Sequence, residues 1–264
     1  MNDNVFFTQD ERGVATITLN RPELHNAFDD ALIKNLITIL QQLQNNAEVK
    51  VVVLAAAGKS FSAGADLNWM KRMSGYSYAE NLKDAQALSE LLQTLKLLKQ
   101  PTIARVQGAT FGGGVGLVAC CDMAVASNKA SFCLSEVKFG LIPAVISPYV
   151  LATIGERAMR RYALTAEIIS AEEAQRLGLV SVVTTPEQLD TALQELLHYL
   201  LQNSPQAVSA AKALINRVSS NPYDERHLQL NTEAIATIRV SPEGQEGLNA
   251  FLTKRKPAWC PKEF

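Results

Sequence analysis

The stretch Thr102-Ile103-Ala104-Arg105-Val106-Gln107-Gly108-Ala109-Thr110-Phe111-Gly112-Gly113-Gly114-Val115-Gly116-Leu117-Val118-Ala119-Cys120-Cys121-Asp122 decides how the chain is read. It opens as a short apolar strand, turns through glycines, and continues from Val115 to Cys121 as a uniformly apolar helix. Strand, turn and helix in that order make one unit of an α/β fold. The same alternation recurs on both sides. Upstream, Val14 to Leu19 alternates at period two and stops at Asn20-Arg21-Pro22. Leu32, Ile33, Leu36, Ile39, Leu40 and Leu43 mark one stripe of a helix over 31–43. Val49 to Ala57, apolar apart from Lys50 and rich in β-branched residues, is closed by Gly58, the pattern of a strand covered on both faces. A helix fits 79–98, and Met123 to Ala126 and Ser131 to Leu134 read as further short strands. From about Pro186 helical stripes dominate, over 189–201, 205–218, 223–240 and 243–254. Asn221-Pro222 and Ser241-Pro242 punctuate them, proline being suited to a helix start. The expectation is an α/β core with largely parallel sheets over 1–195 and a helical part over 196–264.

The 264 residues carry 25 Lys+Arg against 26 Asp+Glu, a net charge of −1. Binding to nucleic-acid backbones draws mainly on Lys and Arg neutralising phosphates, so this balance weighs against such a partner. It is silent on small acidic ligands, which need only a few local charges. The start, Met1-Asn2-Asp3-Asn4, lacks the basic and apolar regions of a secretion signal, and no apolar run is long enough to span a bilayer. No membrane association and a cytoplasmic location are expected. Cys120, Cys121, Cys133 and Cys260 have no Cys-x-x-Cys spacing, so reduced packing thiols are expected, with no disulfide framework and no metal site.

Familiar motifs fail on spacing. A Gly-x-Gly-x-x-Gly frame from Gly112 meets Leu117 where glycine is required, and from Gly114 meets Ala119. Gly58-Lys59-Ser60 has Val53 where a P-loop needs its first glycine. No Gly-x-Ser-x-Gly elbow exists, and His25, His198 and His227 sit in no triad-like company. What remains is two glycine turns and one carboxylate. The first turn, Phe61-Ser62-Ala63-Gly64-Ala65-Asp66, follows the strand ending near Ala57; the second, around Gly112-Gly113-Gly114, opens a helix. Small residues let a ligand approach the backbone, and amides at a helix N-terminus suit a developing oxyanion. Glycines that merely permit tight turns are the other reading, and on spacing alone it is the stronger one. Glu136 follows a strand among apolar neighbours, where desolvation moves a carboxyl toward acid–base work near neutral pH. An ion pair with Lys138 is the alternative.

Taken together these residues resemble the crotonase (enoyl-CoA hydratase/isomerase) superfamily. The matching segments are Asn20-Arg21-Pro22 with Asn26-Ala27, Ser62 to Asp66, the triple glycine, Ser135-Glu136 with Gly140-Leu141-Ile142-Pro143, Ala174 with Gly178-Leu179-Val180, and Phe251 to Arg255. The resemblance implies a ββα-spiral core with a C-terminal helical trimerisation region, and a homo-oligomer, trimer or hexamer. It implies that the N–H groups of Ala65 and Gly113 hold a thioester carbonyl and that Glu136 is the acid–base. It further implies that Ala63, Gly64, Asp66, Leu67, Gly112 and Gly116 line the substrate, and that Phe251 and Lys254 help hold coenzyme A, which is part of the substrate; no separate cofactor is implied. The chain departs from the two-glutamate hydratases at Gly116, where they carry their first glutamate.

The stretch from Gln107 to Asp122, with Cys133 to Lys138 and Ile142 to Val150, is similar to bacterial methylglutaconyl-CoA hydratases and, in part, to γ-carboxygeranoyl-CoA hydratases. Both substrates carry an extra carboxylate, for which Lys138 is a candidate partner. The expected reaction is syn addition of water to a 2-enoyl-CoA, 3-methylglutaconyl-CoA of leucine degradation. Its rivals are Δ3,Δ2-enoyl-CoA isomerisation and a non-catalytic acyl-CoA or RNA-binding protein. Asp66 orienting its own loop, Asp122 tying the core and an unassigned His25 complete the reading.

Overall fold

The protein is described here by a computed structural model covering residues 4–219 and 225–260; the Asn221-Pro222 break and the first residues of the helix expected from 223 lie outside them. The elements run β1 (Val5–Gln9), β2 (Val14–Leu19), α1 (Asp30–Gln44), β3 (Val51–Ala56), α2 (Leu67–Met73), α3 (Tyr78–Lys96), β4 (Thr102–Val106), β5 (Ala109–Phe111) and α4 (Gly113–Cys120). They continue with β6 (Met123–Ser127), β7 (Ser131–Cys133), α5 (Ser147–Thr165), β8 (Ile169–Ser170), α6 (Ala171–Arg176), β9 (Val182–Thr184), α7 (Leu189–Leu201), α8 (Pro205–Val218), α9 (Glu225–Val240) and α10 (Pro242–Leu252).

One sheet has the order β1-β2-β3-β4-β6-β9, parallel except for the β1–β2 pair. A smaller sheet has the order β5-β7-β8. Units β4–β5–α4 and β6–β7–α5 each give one strand to the large sheet, the next to the small sheet, and then a helix. This is the ββα arrangement the resemblance implies; the parallel expectation holds in the large sheet inside the β1 edge, while in the small sheet β5 and β7 run parallel and β7 and β8 antiparallel.

β3 buries both faces, which is why it reads as a continuous apolar run. Val52, Leu54 and Ala56 pack with Leu32, Leu36 and Leu40 of α1 and Leu91, Leu92 and Leu95 of α3. Val51, Val53 and Ala55 face the other way, onto Leu189, Leu193, Leu197 and Leu201 of α7. The 195/196 division expected from sequence therefore falls inside a helix that packs on the sheet along its whole length. Lys212 of α8 is tied to the same sheet end: its Nζ lies 2.7 Å from Asp122 Oδ2 and donates to Gln100 O at 3.0 Å. Asp122 Oδ2 also accepts from Thr102 N and Oγ1 at 2.7 and 2.9 Å, so Asp122 ties the core.

Several elements escape the sequence patterns. β1 buries only Val5, β5 has three residues set between glycines, and α5 is interrupted by Gly155 at φ 76°.

Candidate active site

The first glycine turn is held by a network that starts in the Asn20-Arg21-Pro22 segment. Asn26, at φ 53°, donates through Nδ2 to Ala57 O and Ser60 O at 2.8 and 2.9 Å, and accepts Arg21 N at 2.8 Å. Ser62 Oγ donates to Asn26 O at 2.8 Å, and Ala63 N donates to His25 O at 3.0 Å. Arg21 Nη1 pairs with Asp29 at 2.6 Å and Nη2 with Asp66 at 2.9 Å. Phe28 N donates to Gly64 O at 2.7 Å, and Asp66 N donates to Phe28 O at 2.8 Å. Ala65 is thus the middle residue of a parallel bridge whose neighbours make both bonds, so its own N–H projects to the opposite side.

The second turn is set by β5. Ser62 N accepts a place beside it by donating to Ala109 O at 3.1 Å, and Phe111 N donates back to Ser62 O at 2.8 Å. Gly112 follows at φ 51°, ψ −119°, a conformation only glycine takes without strain. Its N–H donates to Cys133 O at 2.9 Å, leaving Gly113 as the first residue of α4 with an amide outside the helix's own bonds. The close approach is tight: a Cβ on Gly114 would stand 2.7 Å from Ser62 O.

The pairing of Phe111 with Cys133 brings Glu136 to this point. Glu136 begins a short 3-10 turn through Phe139, and a Cβ on Gly112 would lie 3.3 Å from Glu136 Oε1 and 4.0 Å from Gly64 Cα. Glu136 Oε2 is buried and has no hydrogen-bond partner, and no ion pair joins it to Lys138. Burial pushes its carboxyl above the usual glutamate range, countered only in part by its own backbone amide. These groups face a cleft of about 570 Å³ walled by apolar side chains, among them Phe28, Trp69, Met70, Leu88, Leu141 and Ile146.

Ala63, Gly64, Ala65, Leu67, Gly112, Gly113 and Glu136 all line the cleft. Asp66 does not: burial alone would raise its pKa, but the amides of Trp69 and Asn68 and the Arg21 guanidinium outweigh it and hold it below the usual aspartate value. Asp66 caps α2 and fixes the loop that carries Ala65. Gly116 lies outside the cleft lining too, buried against Ile146 and Leu92. Phe251 and Lys254 sit at the end of α10, exposed and away from the cleft of their own chain. Lys138 is an exposed cation on the cleft, and His25 Nδ1 lies 3.2 Å from Ser60 Oγ. Among the described residues no cluster of three or more His, Cys, Asp or Glu is placed to hold a metal ion. The Arg21 network and Ile146 carry no role in the sequence reading; the only signal for Arg21 is its place in a matched segment.

Two amides outside the backbone ladders and one half-buried carboxyl with an unpartnered oxygen, on a ββα core, define a crotonase-type enzyme. The chain belongs to the enoyl-CoA hydratase/isomerase family, whose model matches residues 9–262. It is 33% identical over 258 residues to the short-chain-enoyl-CoA hydratase of Clostridium acetobutylicum, covering 97% of each chain. It is 28% identical over 263 residues to the crotonyl-CoA hydratase of Syntrophomonas wolfei, covering 98% of this chain and 99% of that protein. The crystal structure of an enoyl-CoA hydratase from Shewanella pealeana superposes with a TM-score of 0.93 at 47% identity, over 97% of this chain and 95% of that one.

Proposed function

We propose that the protein adds water across the C2–C3 double bond of a 2-enoyl-CoA whose acyl chain carries a second carboxylate, 3-methylglutaconyl-CoA of leucine degradation. Glu136 carries this reading: among the described residues it is the one carboxylate on the cleft lining, half-buried, with Oε2 unpartnered, and it stands at Gly112 and Gly64, the chain neighbours of the Gly113 and Ala65 amides. The thioester carbonyl accepts from the N–H groups of Ala65 and Gly113, so the charge of the enolate forms against two fixed donors. Losing one such donor costs on the order of 3 kcal/mol in comparable sites. Ionised Glu136 takes a proton from water as its oxygen bonds to C3; the carboxylic acid so formed returns that proton to C2. One group serves both steps on one face of the alkene, which makes the addition syn. Its raised pKa brings the carboxylate closer to the basicity this transfer needs.

Lys138 supports the choice of acyl group. Among the described residues it is the one Lys or Arg on the cleft lining, in a wall otherwise mostly apolar. A distal carboxylate gains a charge-assisted bond there. A single carboxylate also suits one further reading, Δ3,Δ2-enoyl-CoA isomerisation, in which Glu136 moves a proton from C2 to C4 without water. The reading also carries a cytoplasmic trimer or hexamer, supported by exposed Leu228, Ile235, Val240, Leu248, Phe251 and Leu252 on α9 and α10.

A spectrophotometric screen tests it, with crotonyl-CoA, 3-methylglutaconyl-CoA, γ-carboxygeranoyl-CoA and a C3-unsaturated thioester. Methylglutaconyl-CoA is expected to be hydrated with the highest kcat/KM, and Lys138→Ala to lower that value about tenfold while sparing crotonyl-CoA. Conversion of only the C3-unsaturated thioester rejects hydration.

A further inference from the structure

Gly116 lies one turn of α4 beyond Gly112 and Gly113, on the same face of the helix. A Cβ there would stand 2.5 Å from Ile146 Cγ2 and 3.0 Å from Ile146 Cβ, with Leu92 Cδ2 at 3.5 Å. Ile146 therefore fills the volume that a side chain at 116 would occupy. It is 2% exposed, immediately precedes α5, and is also part of the cleft wall. One aliphatic side chain thus plugs α4 and bounds the acyl site at the same time.

We propose that Ile146, seated on Gly116, is the specificity-determining residue that sets how much bulk the cleft accepts at C3 of the acyl chain. The inference rests on the reading above, in which the thioester carbonyl sits at the start of α4. One helical turn is about 5.4 Å. C3 is two bonds beyond the carbonyl carbon and its substituent three, so a chain anchored at the Gly113 amide brings that substituent to the Ile146 wall. Gly116 and Ile146 are a complementary pair. Side-chain volume added at 116 has Ile146 in its way and buried Leu92 on its other flank, so it drives Ile146 toward the cleft that Ile146 lines. Removing volume at Ile146 gives the space back.

The test is a size swap read by calorimetric binding of butyryl-CoA and isovaleryl-CoA, saturated thioesters that differ by one methyl at C3. Gly116→Ala, and independently Ile146→Phe, are expected to weaken isovaleryl-CoA relative to butyryl-CoA by about tenfold, the lower end of what one methylene is worth in an apolar pocket. Gly116→Ala combined with Ile146→Ala is expected to bring the ratio back to within about threefold of the unmodified protein. Ile154→Val, on α5 but off the cleft lining, reports what a packing defect alone does and leaves the ratio unchanged. A ratio that moves less than about twofold in both Gly116→Ala and Ile146→Phe, or that the double substitution fails to restore, overturns the proposal. Binding is read without turnover. A protein that binds both thioesters and hydrates nothing refutes the hydration reading while the ratio still judges Ile146; a protein that binds neither overturns both.

Discussion

Replacing Arg21 is the perturbation that most directly tests how the site is built. Its guanidinium spans two carboxylates, Asp29 at 2.6 Å and Asp66 at 2.9 Å, and donates to Ala27 O at 3.1 Å. The side chains of Arg21 and Asp66 are only 15% and 6% exposed, so little water is available to replace the pair. Breaking a buried pair costs about 3–5 kcal/mol when the surviving charge is left uncompensated. Here both survivors keep donors: Asp66 Oδ1 holds the amides of Asn68 and Trp69 at 2.8 and 3.2 Å, and Asp29 Oδ1 caps α1 through Leu32 N at 2.7 Å. Arg21→Ala therefore belongs at the low end, about 3 kcal/mol, and Arg21→Lys below it, because an ammonium reproduces only part of the fork. At this chain length each kcal/mol moves Tm by about 2–4 °C, which gives a fall of about 6–12 °C for Arg21→Ala. The pH dependence follows from Asp66. Its folded pKa is depressed, so its contribution is present above the unfolded value of about 3.9 and is lost as pH falls through the folded pKa. The gap in Tm between wild type and Arg21→Ala is accordingly widest near neutrality and narrows below about pH 4. Circular-dichroism melts at neutral and acid pH give the gap, and acyl-CoA turnover gives the effect on the loop that carries Ala65. A Tm within about 2 °C of wild type at neutral pH, or a gap that widens in acid, would refute the reasoning.

Glu136→Gln is expected to reduce turnover to near background while acyl-CoA binding persists, measured by steady-state kinetics and calorimetry. The same variant is expected to be more thermostable than wild type near neutrality: with the folded pKa raised, ionised Glu136 costs nothing below its unfolded pKa, and the cost grows until pH has risen through the folded value. Equal melting temperatures at neutral pH would show that the carboxylate is solvated after all. Gly112→Ala combines a backbone conformation foreign to alanine with a Cβ 3.3 Å from Glu136 Oε1. A loss of about 1–3 kcal/mol in stability together with a lowered kcat is expected, and a wild-type kcat would dissociate the turn from the acid–base role proposed for Glu136.

The fold was legible where one strand shows both of its faces. In β3 the alternate burial of Val52, Leu54 and Ala56 on one side and Val51, Val53 and Ala55 on the other follows from a run with no polar residue in it. β1 and β5 gave no such pattern, because β1 is a sheet edge with one buried residue and β5 owes its existence to the partners Ser131 to Cys133, which lie more than twenty residues on. The site divides in the same way. The two glycine turns and Glu136 could be singled out by residue type, but their meeting depends on the Phe111–Cys133 register, which no local pattern encodes. Asp66 and Gly116 occupy matched positions yet serve the loop and the helix packing, and Arg21 finds Asp66 across a separation of 45 residues. The choice between an ion-paired and a free Glu136 turns on a subtler point. In sequence Lys138 is an available partner two residues away. A 3-10 turn has about three residues per turn, so positions i and i+2 point to different sides of it. Glu136 opens such a turn, which carries Lys138 to an exposed place on the cleft wall and leaves the carboxyl facing Gly112 with no ion pair to Lys138. An extended continuation of β7 would have put both side chains on one face, within reach of each other, and the raised pKa of Glu136 is therefore a property of the turn as much as of the residue.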